Sequence, residues 1–120
     1  MINDNYLSGL AKLMVGASYS IPSHGAVGST TGTLTATDIV TSGEFDRDTL
    51  SFDRSLNTSK FGFVRSASEA GNEVINVASF TNSATPFGTS DIQVNMLIAS
   101  LTHTTDFDVE IEAWVTHSRG

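Results

Sequence analysis

Four carboxylates at alternate positions near the C-terminus are the first residues that could do chemistry. They are Asp106, Asp108, Glu110 and Glu112. Alternate residues of a strand share one face and lie about 7 Å apart, a spacing at which carboxylates serve a glycosidase or bind calcium. The run has no turn glycine, does not fit the EF-hand pattern, and an open strand face offers no cleft. We therefore interpret it as a solvated acidic face or a surface for a basic partner, and we predict no catalytic residue.

No other residue set has the spacing of an active site, a metal site or a cofactor site. His24, His103 and His117 stand alone, without the paired spacing of imidazole ligands. The glycine-rich stretch 25–32 is not followed by Gly-Lys-Ser/Thr, so no phosphate loop is predicted. No serine lies in Gly-x-Ser-x-Gly, and the absence of cysteine excludes disulfides and thiolate metal sites. The sequence predicts a protein that is not an enzyme and has no cofactor or metal, with solvated or hydrogen-bonded histidines.

The acidic residues belong to the second of two strands predicted within Asp91–Ser118. The apolar residues that alternate along the two strands are Ile92, Val94, Met96 and Ile98, then Phe107, Val109, Ile111, Ala113 and Val115. This alternation predicts one long β-hairpin closing near Thr104 and Thr105, with residues whose numbers sum to 209 opposite each other. Strands of roughly 40 Å exceed the usual length, so they either bend and switch sheets or project and are covered.

The other face of this predicted hairpin combines apolar residues with the carboxylates. The first strand contributes Leu97, Ala99 and Leu101, and the second contributes Trp114, the only tryptophan. Exposed apolar patches anchored by Trp are typical of protein interfaces, whereas burial of both faces within the monomer is the alternative. The predicted interface residues on these strands are Leu97, Leu101, Trp114, Asp108, Glu110 and Glu112.

A short helix is predicted for residues 4–15, where Leu7, Leu10 and Leu13 recur at helical spacing. Gly16 ends it, and Gly9 weakens it by about 1 kcal/mol relative to Ala. A helix of about three turns is marginal alone. It therefore either plugs one end of the β body or packs as an arm on a neighbouring subunit, with the three leucines as a second predicted contact.

The rest of the chain predicts short strands separated by turns. The predicted strands are 18–23, 33–41, 44–55, 60–66 and a central strand 72–81, with loops at 23–32 and 82–90 and a turn at 57–59. Together with the hairpin this makes about seven strands at spacings near ten residues. The prediction is an all-β protein: a single antiparallel β-sandwich or jelly-roll-like domain at 18–120 behind an N-terminal arm at 1–17.

Charge and composition restrict the partners. The 120 residues carry a net charge of −7 with only six Lys and Arg, and 16% of residues are charged against about 25% in typical domains. Contact with nucleic acid or an anionic membrane surface is therefore not expected. No apolar run reaches the roughly 20 residues needed to span a bilayer, and Met1–Asn5 lacks the cationic start of a signal peptide.

Three stretches resemble a known class of proteins. They are Met1–Leu10, the Thr-rich Gly32–Asp38 with Ser42–Arg47, and the closing Phe107–Thr116. The chain resembles small structural proteins of tailed bacteriophage particles. This resemblance implies a sandwich or jelly-roll subunit without catalytic residues, made in the host cytoplasm and located in the virion. Such a subunit binds other virion proteins and copies of itself in many copies, in the capsid, neck or tail.

The predicted function is therefore a non-enzymatic virion structural protein, with capsid decoration slightly favoured and a homo-oligomer or multi-copy assembly expected. The alternative is a carbohydrate- or receptor-binding module of a tail fibre or spike. Its sugar contacts would come from loops such as Asn82–Ser90. The few aromatic residues in these loops, chiefly Phe87, count against the alternative.

Overall fold

The protein is a β-sandwich with one N-terminal helix, as the sequence predicts. A computed structural model describes residues 1–35, 43–84 and 92–118. In these ranges the elements are α1 Asp4–Met14, β1 His24–Gly28, β2 Asp46–Thr49, β3 Ser51–Ser55, β4 Thr58–Arg65, a 3₁₀ helix Ala67–Glu69, β5 Val74–Thr81, β6 Ile92–Thr102 and β7 Val109–Thr116. The strands form two antiparallel sheets with the orders β2-β1-β5-β6 and β3-β4-β7. We call them the four-stranded and the three-stranded sheet.

The core lies between the two sheets and is built from their inward-facing alternate residues. Phe80 of β5 packs against Phe61 and Phe63 of β4, with ring centroids 6.2 and 5.7 Å apart. The buried apolar cluster is Tyr6, Val27, Leu50, Phe61, Phe63, Ile75, Ala78, Phe80, Val94, Val109, Ile111, Ala113 and Val115. Since burial of one large apolar side chain stabilises by about 1.5–3 kcal/mol, this cluster is the main source of stability.

The predicted hairpin is wrong, although its buried faces are largely right. β6 pairs with β5 and β7 pairs with β4, so the two strands lie in different sheets and the register with sum 209 does not form. Ile92 and Val94 on β6, and the alternate residues of β7 from Val109 to Val115, are buried as predicted. Alternation specifies which face is buried but not which strand supplies the hydrogen bonds, and this is why the pairing was missed.

The connection between β6 and β7 crosses from one sheet to the other and is held by a buried histidine. His103 is fully buried, and its Nε2–H donates to the Phe107 carbonyl 2.9 Å away. The His103 backbone N–H donates to the Glu73 carbonyl at 2.9 Å. Phe107 itself lies outside β7 and is partly exposed, so the predicted buried row begins at Val109.

The central strand β1 lies where the sequence predicts a loop. His24–Gly28 pairs with β2 on one side and β5 on the other, whereas the predicted strand 18–23 is irregular. Gly25 explains the missed prediction, because a Cβ there would overlap the Phe63 ring of the opposite sheet. Residues 33–35 of the predicted strand 33–41 are also irregular, and the rest of it lies outside the described residues.

The predicted strand 44–55 is two strands, one in each sheet. β2 and β3 are separated only by the buried Leu50, where the chain passes from one sheet to the other. The turn after β3 is Leu56-Asn57, between the paired Ser55 and Thr58, one residue earlier than predicted. The strands predicted at 60–66 and 72–81 are confirmed as β4 and β5, and β5 is central as expected.

The predicted helix is confirmed, and it packs on the chain's own β-sheets. Tyr6 reaches the core, and Ile2 just before α1 forms an antiparallel bridge with Val94 of β6. Gly16, with φ of 74°, follows the end of the helix as predicted. Gly9 has a different role from the one expected, because a Cβ there would overlap the Tyr19 ring.

Candidate functional site

The predicted patch of Leu97, Leu101 and Trp114 does not form. Leu97 and Leu101 lie on β6 in the four-stranded sheet, whereas Trp114 lies on β7 in the three-stranded sheet. Leu101 packs against the core, and Leu97 is 54% exposed. This error follows directly from the wrong hairpin, because the patch required β6 and β7 to be neighbours.

The predicted row of four carboxylates is also shorter than expected. β7 begins at Val109, so Asp106 and Asp108 precede the strand and only Glu110 and Glu112 share its outer face. An Asp108 carboxylate oxygen accepts a hydrogen bond from the Ala67 backbone N–H at 2.7 Å. It therefore helps to hold the 3₁₀ helix, which is a structural role.

Glu112, Lys60 and Trp114 form a connected polar and aromatic surface on the outside of the three-stranded sheet. The Lys60 Nζ lies 3.0 Å from Glu112 Oε1 and 5.4 Å from the Trp114 ring centroid. The Trp114 Nε1–H donates to Glu112 Oε2 at 3.1 Å. The hydrogen bonds from Lys60 and then Trp114 lower the pKa of Glu112, and the same bond to Glu112 raises the pKa of Lys60.

We call this surface the Trp114 face and define it as Asp53, Lys60, Glu112 and Trp114. Strand pairing places Asp53 beside Lys60 and Lys60 beside Trp114 in one row across β3, β4 and β7. Trp114 is 63% exposed. An indole held in this way offers a flat apolar surface with charged groups at its margin, which suits a protein partner or a ring-shaped ligand.

An apolar groove lies between α1 and the three-stranded sheet. We call it the α1 groove, and its volume is about 270 Å³. Its principal apolar lining residues are Leu10, Leu13, Ile21, Phe52 and Phe61. Phe52 is 53% and Ile21 56% exposed, and Leu13 is also exposed. Three neighbouring large apolar side chains that remain in water are a recognised mark of an interaction site.

The polar groups near the α1 groove are largely satisfied by the chain itself. The Tyr6 hydroxyl and the His117 Nε2 share a hydrogen bond of 2.7 Å, and their rings stack. Burial raises the pKa of Tyr6, so this hydroxyl stays protonated at neutral pH. The polar groups in the groove wall therefore need few further hydrogen bonds. The apolar surface of the groove favours an apolar occupant.

The three predicted helix leucines have different positions. Leu10 and Leu13 line the α1 groove, whereas Leu7 does not line it and is exposed. The remaining lining residues from 19 to 22 and from β3 were not predicted as contacts. Their only sequence signal is their apolar character, since their approach to α1 depends on the fold.

A cluster of carboxylates around the buried Arg65 was not predicted from the sequence. Arg65 of β4 pairs with Asp46 of β2 and with Glu73, 2.5 Å away. It also donates to the Glu69 backbone carbonyl at 2.7 Å. Carboxylate oxygens of Asp46, Asp48 and Glu69 lie within 4.8 Å of one another, but Arg65 already supplies a positive charge among them. We therefore assign this cluster a structural role.

Two neighbouring residues at the start of β2, Asp46 and Arg47, have different ionic partners. Asp46 bonds to Arg65 rather than through its side chain to the Arg47 guanidinium, and Arg47 instead forms a buried pair with Glu44 at 2.6 Å. Burial, followed by the neighbouring Glu69 carboxylate, raises the pKa of Asp48. The Asp46–Arg65 contact joins β2 to the three-stranded sheet, so this pair stabilises the fold.

The chain matches no family model, no curated protein and no solved structure. Within the described residues, no helix is both long and apolar enough to cross a bilayer. The α1 groove and the Trp114 face are the two surfaces that we consider as candidate sites. The two surfaces share Asp53 and Lys60 of the three-stranded sheet, and neither includes Arg65.

Proposed function

We propose that the protein is a non-enzymatic structural subunit that assembles in many copies through protein–protein contacts. The observation that carries this proposal is the α1 groove, with Leu13, Ile21 and Phe52 exposed side by side. Removing such surface from water is favourable by roughly 25 cal/mol per Å². A neighbouring subunit that covers the groove supplies this stabilisation.

The setting we propose is the particle of a tailed bacteriophage, with capsid decoration favoured over the neck or tail. The resemblance of residues 1–10, 32–38, 42–47 and 107–116 supports this setting. The Trp114 face supports it as a second contact, because Trp is a common anchor of protein interfaces. The partners would be copies of the chain and other virion proteins.

Ile21→Glu tests this proposal, because it places a charge in the α1 groove. The measurement is the mass of the purified protein over a wide concentration range by sedimentation velocity. We expect the natural protein to associate and Ile21→Glu to remain monomeric with its circular dichroism unchanged. The matched control is Leu97→Glu on the other sheet, where a side chain of similar exposure, 54% against 56%, also becomes acidic.

Two results would contradict the proposal. One is a natural protein that stays monomeric at every concentration and does not bind phage particles. The other is equal loss of association in Ile21→Glu and Leu97→Glu, since this would show a general effect of added charge rather than contact through the α1 groove.

Saccharide binding at the Trp114 face is the second candidate. The exposed indole can stack on the apolar side of a sugar ring while Lys60, Glu112 and Asp53 bond to its hydroxyls. The predicted sugar loop 82–90 lies largely outside the described residues, so this face replaces it as the candidate. Since Trp114 is the only tryptophan, its fluorescence reports directly on binding.

We expect a saccharide found by a glycan screen to shift the Trp114 emission, and Trp114→Ala to remove its binding with the fold kept. Val64→Ala is the control, because Val64 is an exposed apolar residue on a neighbouring strand of the same sheet. A screen without ligands would contradict this candidate and leave the structural role as the better one.

A further inference from the structure

Leu56 has a backbone conformation that its side chain disfavours. It occupies the first position of the two-residue connection between β3 and β4, with φ of 51°. Hairpin turns with positive φ favour Gly, Asn or Asp at such positions. A residue with a Cβ is strained there, because the Cβ comes too close to the backbone.

Leu56 is also 93% exposed, the highest value among the large apolar residues that the structure describes. The turn therefore presents an aliphatic side chain to water at a site where glycine or asparagine would suit the backbone better. Conformational strain of this kind is a reason to look for a function. Since the side chain gains almost nothing from its own chain, that function lies in contact with another molecule.

The α1 groove has the size and chemistry to receive this side chain. Its volume of about 270 Å³ exceeds that of the apolar cavity of about 150 Å³ that binds benzene in another protein. A leucine side chain therefore fits with space for part of its turn. Exposed Met14 and Val15, which follow Leu13 at the end of α1, can cover the rest of an incoming hairpin tip.

We propose that Leu56 of one copy inserts into the α1 groove of a second copy. This inference rests on the proposed assembly function and names its contact. Leu56 follows the groove residue Phe52 by four positions, or about 13 Å along the strand. Leu56 and part of the groove wall thus belong to the same β3–β4 hairpin. In a two-fold pair of copies the contact forms twice, because each Leu56 enters the α1 groove of the other copy.

Leu56→Asn tests the insertion, because asparagine suits positive φ but has no aliphatic group. We expect the variant to unfold at the same temperature as the natural protein or a higher one. We expect its self-association constant to weaken by about tenfold or more, from the lost burial of leucine. Leu56→Met, which keeps an apolar side chain, should associate nearly as the natural protein does. Sedimentation velocity and thermal unfolding measure the two effects.

The absence of cysteine allows the contact to be located directly. A mixture of Leu56→Cys and Ile21→Cys proteins, mildly oxidised, should form disulfide-linked pairs that contain one chain of each kind. A mixture of Leu56→Cys and Leu97→Cys is the control and should give few mixed pairs, because Leu97 lies on the other sheet.

The outcomes separate the two proposals. If the natural protein associates and Leu56→Asn associates equally well, the insertion is wrong and the assembly function stands. An equal yield of mixed pairs from the Leu97→Cys and the Ile21→Cys mixtures would overturn the insertion in the same way. A natural protein that never associates with itself would overturn the insertion, and binding of that monomer to phage particles would still leave the assembly function intact.

Discussion

Two glycines determine how closely neighbouring elements approach. Gly9 of α1 lies against the Tyr19 ring, and Gly25 of β1 lies against the Phe63 ring. At both positions a Cβ would overlap the ring, so each glycine is required by packing and not by the turn chemistry usually associated with glycine. Tyr19 also lines the α1 groove. The helix glycine therefore contributes to the shape of the candidate site.

Gly9→Ala is expected to lower the free energy of unfolding by about 1–3 kcal/mol. Helix propensity alone predicts a gain of about 1 kcal/mol, but the new methyl group must displace the Tyr19 ring. Urea unfolding followed by circular dichroism measures the difference. Ser8→Ala, at an exposed position of the same helix, should change the free energy of unfolding by less than about 0.5 kcal/mol. A stabilised Gly9→Ala protein would show that Tyr19 does not pack there.

Between elements, Arg65 connects parts of the chain that are distant in sequence. Its side chain is almost fully buried and reaches Asp46 on β2 and Glu73 just before β5. A buried charge is costly without partners, so the burial of Arg65 depends on these two carboxylates. The contact joins the edge of the four-stranded sheet to β4 and thereby helps to hold the two sheets together.

The pH dependence of stability is expected to follow from Glu73. Burial by itself raises the pKa of this carboxyl, but hydrogen bonds from its own backbone N–H, from Arg65 and from the Gly71 N–H outweigh burial and hold the pKa below its ordinary value. Since the folded pKa is lower than the unfolded one, the stabilisation is present above about pH 4.3 and is lost as the pH falls through the folded pKa.

Glu73→Gln should therefore lower stability at neutral pH and weaken its dependence on pH below about 4.3. Unfolding by urea at a series of pH values measures both effects. Asp106→Asn removes a carboxylate charge from an exposed position that precedes β7 and is the control. If the two variants show the same acid dependence, the contact with Arg65 does not govern it.

For the whole molecule, the candidate contacts are concentrated on the three-stranded sheet. The α1 groove meets β3 and β4 on one side, and the Trp114 face covers the outside of β3, β4 and β7. In the assembly that we propose, copies meet through this sheet. Net charge of −7 opposes close approach of copies, so the proposed assembly requires apolar contacts to supply the attraction.

Local patterns in the sequence predicted several elements correctly. Alternation identified β4 and the buried rows of β6 and β7, and an apolar run on both faces identified the central strand β5. Helical spacing identified α1 and two leucines of its groove. These predictions succeed because side-chain periodicity within one element depends only on neighbouring residues. β1 was missed because its glycines contribute little to such a pattern, although β1 lies at the centre of its sheet.

The sequence by itself determined the class of fold, the buried faces of β4, β6 and β7 and the position of the helix. Only the tertiary structure decided that β6 and β7 belong to different sheets, and therefore that Leu97 and Trp114 are not neighbours. It also decided that Arg65 meets Asp46, and that Leu10, Ile21 and Phe52 line one groove. The physical reason is that strand pairing is made by backbone groups, which are alike in nearly every residue, so the partner is selected by packing across the whole chain.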